Sequence, residues 1–503
     1  MRLEVIVFIS GAVVMAYELA AARLLAPHLG SSLHTWTSII GVILLSLSLG
    51  YWWGGRRADA NPSANELRKL LFRAAACVVV TAIFQELVLT LLRRAPFDIR
   101  VTSVIATLIL FAPASIILGM VSPYAARLRL ENLSSSGATV GTLYAVSTVG
   151  SIVGTFVTGF YLLAWFGSSQ ILALLAGCLL FCGLLLMPLS SLSAFAIACI
   201  SSLGLYVGLD RYTQIMSGGR IDIDTVYNRI WIVEEEQDGR RLRHLHTHAF
   251  TSQSVVNLDN PDELVLPYAR LMAAAAQAVS RPQRALVIGG AGCSLPRALR
   301  ARYPEMQVDV VEIDPAMTEV AQKYFFLQAD AQMGFYHEDG RTFINREHAP
   351  YDLIYVDAYD ANLTLPFQLA TLEAIRRYHA LLSEEGVWAM NTIAASAGLG
   401  SELLNSIWKT IDAVFPSTVA LASRPPVSAE EILNVVLVAS KSPAPLEAVM
   451  EAVGTEHPAL QRVGHKALPV LTDEYAPVEH YALRGLPEWI RRRRGSQAQP
   501  SES

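Results

Sequence analysis

Four carboxylates, Glu312, Asp339, Asp357 and Asp360, each follow a short apolar run, and a small-residue turn, Gly289-Gly290-Ala291-Gly292-Cys293, follows another. Glycine at Gly289 and Gly290 lets the backbone come close to a ligand, and a helix start beyond the turn offers unpaired N–H groups. Glu312 lies about twenty residues after the turn, the spacing at which an acid accepts hydrogen bonds from ribose hydroxyls. Asp339 suits the adenine amino group. Asp357 stands where the reacting end of such a ligand would lie. A carboxylate there can hold a cationic amine and take its proton as nitrogen attacks. It can also stabilise positive charge passing from a sulfonium to a new ammonium. Any one of these acids alone reads equally well as a helix cap or a surface charge. Four of them at successive strand ends point to an adenosyl ligand.

The elements that must position these residues follow from the apolar pattern. Strands are expected at Ala285–Ile288 and Val308–Val311, then a third closed by Glu338-Asp339-Gly340-Arg341, then Asp352–Val356 and Val387–Met390. Helices are expected at Pro315–Tyr324 and Thr371–Leu382, the latter turning through Glu385-Gly386 into the fifth strand. The runs Ser417–Ala422 and Ile432–Val438 supply a final antiparallel pair. Such alternation predicts an α/β, Rossmann-like domain with a mostly parallel sheet, which binds ligands at the carboxyl ends of its strands. Ahead of it, alternating Ile230, Ile232 and Leu242, Leu245 around Gln237-Asp238-Gly239 predict a small antiparallel sheet, and Asp262–Val279 a helix. His244, His246 and His248 share one face of that sheet, with no carboxylate or cysteine near enough in sequence to make a metal site. The five cysteines also lack metal-ligand spacing, so no metal is expected.

The first half of the chain is of another kind. The whole sequence is 52% hydrophobic and only 17% charged, with a mean hydropathy of +0.37. Soluble domains carry about 25% charged residues, so part of the chain belongs in lipid. Apolar runs near 3–26, 36–53, 70–92, 101–121, 139–165, 170–187 and 193–209 are each close to the ~20 residues that cross a bilayer as a helix. Gly150, Gly154 and Gly159, with Ser147 and Ser151, recur at the spacing that lets helices approach closely. The first run carries Glu18 and Arg23 and lacks a basic lead-in, unlike a cleaved signal peptide. Glu18, Arg23 and Glu86 are ionisable groups inside spans, read either as interhelical pairs or as a substrate path. The formal charge of −5 argues against nucleic acid as a partner.

Basic residues after the second span (Arg56, Arg57, Arg68, Lys69) and the fourth (Arg127, Arg129) favour the cytoplasm for both loops and for the N-terminus. Seven spans would then put the second half outside, where a nucleotide-like cofactor is scarce. Cofactor supply is given the greater weight: the second half is placed in the cytoplasm, at a multi-pass inner cell membrane, with one span miscounted or re-entrant. The domains are 1–210, polytopic transmembrane; 211–278, small sheet and connecting helix; 279–485, the adenosyl-binding Rossmann-like domain; and 486–503, a basic and polar tail.

Glu312-Ile313-Asp314, Glu338-Asp339-Gly340 and Asp357-Ala358-Tyr359-Asp360 resemble the corresponding motifs of spermidine synthases, the polyamine aminopropyltransferases. The resemblance covers roughly 220–440, including Tyr227-Asn228 and the region of Gln253, and the membrane half resembles that of membrane-bound spermidine synthase-like proteins. It implies transfer of a 3-aminopropyl group from decarboxylated S-adenosylmethionine to a polyamine, with release of methylthioadenosine. It also implies Glu312 on ribose, Asp339 with Gly340 on adenine, Asp357 as the base and Asp360 as a second amine anchor. Asn228 and Gln253 would line the pocket, with Tyr227 and Tyr268 on the substrate side. A homodimer is compatible with it.

The chain departs from the family at the amine end. The family's turn usually reads Gly-Gly-Gly-Asp-Gly, whereas Gly292 stands at the acid's place. Ala269 and Arg270 follow Tyr268 where His or Gln and then Glu are common, and Ala361-Asn362-Leu363-Thr364 replaces a Pro-Gly-rich stretch. Asp473, Glu474 and Glu479 either return acid to the amine side or form a charged lid turn. Arg491 to Arg494 are read as a solvated terminus or as attracted to an anionic leaflet. An aminopropyltransferase is the leading expectation. The alternatives are a methyltransferase on the same fold using S-adenosylmethionine, and a transporter or sensor whose second half only binds a nucleoside or polyamine.

Overall fold

The computed structural model describes residues 2–30, 33–94, 99–130, 136–188, 190–216, 220–247, 251–359, 365–461, 468–482 and 484. The chain divides into two compact units, Met1–Arg229 and Ile230–Ser503, so the boundary falls within a strand rather than at 210.

Unit one is helical. Arg2–Leu29, Leu33–Ala60, Ala64–Leu92, Ser136–Trp165 and Leu192–Leu209 are each long and apolar enough to cross a membrane. Ile99–Leu110 and Ala112–Arg129 form a pair bent by 55°, a sixth crossing if taken together. Ser168–Leu184 is a shorter apolar helix, yet it runs from one end of the unit to the other. At its start the Ser168 N–H donates to Asp224 at 2.6 Å, beside Arg23. Beyond its end the Leu185 carbonyl accepts from Arg2 at 3.1 Å. Arg129 pairs with Glu4 at 2.6 Å and Arg127 with Asp59 at 3.1 Å, so the N-terminus and two basic loops share one end of the unit. The segment leading into unit two, with Asp222, Asp224 and Arg229, meets Arg23 and Glu86 at the other end. By length and composition, five helices among the described residues, or six with the bent pair, qualify as spans, against the seven apolar runs of the sequence.

The small-residue spacing does the work its sequence suggested. Side chains added at Gly150 and Gly154 would overlap the carbonyl oxygens of Phe8 and Ala12, and Ser151 donates to the Gly11 carbonyl at 3.2 Å. Gly159 meets nothing within 4 Å and lies in the π-turn Thr158–Leu162. A second close approach, between Gly50 and Gly119, was not anticipated.

Strand β1 (Ile221–Asp224) belongs to unit one, and the chain enters unit two within β2 (Arg229–Gln237). β2, β3 (Arg240–His246) and β4 (Ser254–Asn257) are antiparallel. Between β2 and β3, Asp238 and Gly239 have φ of 51° and 70°, the paired positive values of a two-residue type I′ turn. The helix expected from Asp262 begins instead at Pro267 and ends at Ala275. Proline has no N–H to give and fits the first helical turn, which fixes that start.

The main sheet has seven strands: β5 (Arg284–Ile288), β6 (Gln307–Val311), β7 (Met333–Tyr336), β8 (Tyr351–Val356), β9 (Leu382–Ala394), β10 (Ser417–Ala422) and β11 (Leu433–Ser440). Their order is β10-β11-β9-β8-β5-β6-β7, with β5 to β9 parallel and β11 and β10 antiparallel. β9 is longer than expected. It starts as the helix Leu372–Leu381 stops, and Glu385-Gly386 lies in an irregularity of its pairing with β8, not in a turn before it. β5 has β6 on one side and β8 on the other, so the chain reverses direction of build there. That reversal opens a crevice at the strands' carboxyl ends.

Candidate active site

The crevice is built from backbone first. Gly289 N–H donates to the Val311 carbonyl at 2.9 Å and Asp357 N–H to the Ile288 carbonyl at 2.8 Å, which ties the ends of β5, β6 and β8 together. Gly289 has φ of 94°, and a side chain there would overlap the Asp357 carbonyl oxygen. Only glycine meets both conditions without strain. Ala291 and Cys293 also adopt positive φ, 41° and 53°, at the start of the helix Ser294–Arg302. Burial, then the charge of Glu312, pushes the Cys293 thiol up to about 12, so it is packing rather than a nucleophile.

Glu312 is buried just past β6 and locks the turn. Its Oε2 accepts from the N–H groups of Gly290 and Ala291 at 2.9 and 3.1 Å, and its Oε1 from Asp314 N–H at 3.0 Å. Burial raises its pKa, and the three backbone donors oppose that rise. Oε2 spends both of its lone pairs on these donors, and Oε1 keeps one for a hydroxyl. Asp339 caps the short helix Gly340–Ile344 through Oδ1, which accepts from Thr342 N–H at 3.0 Å. Its Oδ2 faces only the Gln368 amide, at 3.5 Å. Gly340 is buried against Ile288 and Leu369, which seats that helix on the end of β5.

Asp357 forms the floor of the cleft, among Gly289, Ala291, Ser254 and Tyr268. Its Oδ1 accepts from the Asn391 amide at 2.9 Å, and the Tyr268 phenol also hydrogen-bonds to it. Burial raises the Asp357 pKa, while the Asn391 and Tyr268 hydrogen bonds act to lower it. Asn391 is itself held: its Oδ1 accepts from Asn434 at 3.1 Å, and its carbonyl accepts from the Tyr359 hydroxyl at 2.8 Å. Asn391 and Asn434 are the site residues that sequence reasoning missed. The available signal was an amide within the otherwise apolar run Trp388-Ala389-Met390 of β9.

The other anticipated residues divide. Gln253 comes to Tyr268 by its backbone, the phenol standing 3.5 Å from its carbonyl, while its side chain donates to Thr247 at 3.1 Å. Tyr227 and Asn228 belong to unit one, in a turn where Asn228 N–H donates to Thr225 Oγ1 at 2.8 Å. Asp473 is committed elsewhere: Arg341 donates to one oxygen at 2.8 Å and Thr371 to the other at 2.6 Å. It ties the late segment to the main domain. Arg270 does not reach Asp357; it braces the carbonyls of Leu264 and Val265, each at 3.1 Å. Asp360, with 361–364, His248 and the tail from 485, lies outside the described residues. His244 and His246 stack at 5.9 Å and bond to Ser252 and Thr251, and no metal-holding cluster occurs among the described residues.

Comparison with known proteins gives this geometry its place. Residues 266–446 match the spermine/spermidine synthase domain. A polyamine aminopropyltransferase of Vibrio vulnificus (strain CMCP6) is 34% identical over 169 residues, 33% of this chain and 56% of that protein. An eEF1A lysine and N-terminal methyltransferase homolog of Drosophila melanogaster is 29% identical over 152 residues, 28% of this chain and 23% of that protein. The chain thus spans about half or less of these relatives' lengths. A crystal structure of a probable spermidine synthase from Corynebacterium glutamicum ATCC 13032 aligns at 18% identity and a TM-score of 0.42, covering 50% of this chain and 98% of that one. Within the second unit, residues 266–446 are thus similar to the spermine/spermidine synthase domain.

Proposed function

We propose that the protein is a membrane-anchored aminopropyltransferase. It moves the 3-aminopropyl group of decarboxylated S-adenosylmethionine to a polyamine and releases methylthioadenosine. The observation that supports this most is the Asp357 carboxylate, held by Asn391 and Tyr268 in the floor of a glycine-walled cleft at the β5–β8 reversal. Glu312 accepts from a ribose hydroxyl and Asp339 Oδ2 from the adenine amino group. The acceptor nitrogen attacks the propyl carbon bonded to the sulfonium. The C–S bond breaks, its electron pair stays on sulfur as the neutral thioether, and the proton of the new ammonium passes to Asp357. Asp360 serves as the second amine anchor in this reading.

The domain is placed on the cytoplasmic side of an inner membrane, where the nucleoside co-substrate is made. Six crossings, with the bent pair counted as one, leave the N-terminal end in the cytoplasm as well, and seven would put it on the opposite face. Cations stand at both ends of the helical unit, Arg57, Lys69, Arg127 and Arg129 at one and Arg23 and Arg229 at the other. The charge rule is therefore weak here and cofactor supply decides.

The test is mass spectrometry of the nucleoside formed when the purified chain meets decarboxylated S-adenosylmethionine and a polyamine mixture. Methylthioadenosine is expected. Methyl transfer remains the second reading because Gly292 puts no acid in the turn, where its N–H donates to Ser254 at 3.0 Å. Production of S-adenosylhomocysteine from S-adenosylmethionine, with no methylthioadenosine, would replace the first reading by the second.

A further inference from the structure

The helical unit contains a separate polar cavity of about 490 Å³, a size typical of small-molecule sites. Arg23, Gln85, Trp165, Arg220, Asp224 and Arg229 are on its wall. Arg23 donates through Nη1 to the Leu163 and Phe166 carbonyls at 2.6 and 2.9 Å and pairs through Nη2 with Asp224 at 3.1 Å. Arg229 grips Asp222 at 3.0 and 2.7 Å and reaches Glu86 at 3.3 Å. The acids here are thus paired with cations, Asp224 with Arg23 and both Asp222 and Glu86 with Arg229, and Arg220, which also acts on Glu86, is a third cation on the wall.

Three buried polar atoms on the same wall lack a hydrogen-bond partner; Asp224 Oδ1 is ion-paired with Arg23 Nη2, and two others remain. One is Nε of Arg23, whose side chain is 10% exposed; the other is Oε1 of Gln85, which is 8% exposed. Buried polar groups are nearly always satisfied, so each asks for a partner from outside the chain. Their demands are opposite. A guanidinium N–H calls for an acceptor, best an anion, and an amide oxygen calls for an N–H or O–H donor. The cavity also meets an aromatic rim at a helix end, where Trp165 is 74% exposed. Such rims mark the level of lipid headgroups.

We propose that this cavity binds an anionic phosphate ester with a free hydroxyl, the phosphate toward Arg23 and Arg220 and the hydroxyl toward Gln85 Oε1. The same chemistry is presented by a phosphoglycerol lipid headgroup and by a soluble glycerol phosphate.

The full chain is reconstituted in phosphatidylcholine nanodiscs, and retention of added phosphatidylglycerol is read by native mass spectrometry. Glycerol 3-phosphate is titrated separately by calorimetry. At least one of the two should bind, phosphatidylglycerol with about tenfold preference over phosphatidylcholine. Gln85→Leu should weaken that binding about tenfold, the worth of one buried hydrogen bond. Arg220→Gln, at an exposed position, should weaken it too and guards against a folding defect in the first variant. Lipid retention alone assigns the headgroup as ligand, and glycerol 3-phosphate binding alone assigns the soluble ester. Equal retention of both lipids with no glycerol 3-phosphate binding overturns the proposal. So does binding that neither variant changes.

Discussion

The side-chain amide of Asn391, on β9, donates to the carboxylate of Asp357, at the end of the neighbouring β8, across 2.9 Å. Asn434 fixes which end of that amide faces Asp357, because it donates to Asn391 Oδ1 at 3.1 Å. A donor to the charged form favours ionisation, so Asn391 opposes the pull of burial and favours the ionised Asp357 that the proposed base role needs. Asn391→Ala should therefore move the acidic limb of the kcat/KM–pH profile to higher pH by about one unit, the worth of one such hydrogen bond. Asn391→Gln should recover part of the shift. An unmoved profile in Asn391→Ala would remove Asn391 from the positioning of the base.

Asp357→Asn separates chemistry from binding and from stability. Turnover should fall by about 10²–10⁴-fold, the usual worth of a positioned base, while nucleoside affinity stays near wild type. The stability effect has the opposite sign. Burial raises the folded-state pKa of Asp357 above its unfolded value. Its contribution is thus most favourable below the unfolded pKa and is lost as pH rises through the folded one. At pH 7 the wild-type carboxylate is a cost, and the neutral amide should raise Tm. At a pH below the ordinary aspartate range the two proteins should unfold alike. Thermal melts at both pH values check this.

Gly289→Ala tests the cradle. The added methyl would overlap the Asp357 carbonyl oxygen, at a backbone φ of 94° that alanine avoids. Both penalties fall on the loop that carries the base. Nucleoside affinity should drop by at least about tenfold, and Tm should fall with a destabilisation of about 1–3 kcal/mol. Retention of wild-type affinity in isothermal titration would mean that the ligand does not pack on this turn.

The ends of β5, β6 and β8 were legible because their apolar runs stop at Gly289, Glu312 and Asp357. What the pattern could not carry was the interior of β9. Asn391 reads there as one polar residue in a buried strand, and its meaning depends on β8 lying beside it, a non-local pairing. The three acids near Pro477 read from sequence either as amine-side charge or as a lid turn, and only the fold shows that Arg341 and Thr371 bond to both oxygens of Asp473. Local sequence also could not say that Pro267, not Asp262, opens its helix, since both begin plausible amphipathic runs. The long apolar helices of the first unit were legible in the sequence, but their path was not. Only the Arg2–Leu185 and Ser168–Asp224 contacts show that a 17-residue helix spans its unit from end to end.

Gly150 offers the sharpest test of the helical unit. It faces Phe8 on the first helix, where an added side chain would overlap the Phe8 carbonyl oxygen, and Gly154 repeats the contact one turn later against Ala12. If the unit lies in lipid as proposed, the hydrophobic effect does not press its helices together, and this close approach and the Ser151–Gly11 hydrogen bond must do so. Gly150→Leu should push the helices Arg2–Leu29 and Ser136–Val157 apart and lower the detergent Tm of the full chain. Gly159→Leu adds the same side chain where nothing lies within 4 Å and should leave Tm unchanged. Equal loss in both would show that leucine harms the helix itself and that the glycine contact is incidental. Loss in Gly150→Leu alone ties the fold of the helical unit to one pair of backbones in contact.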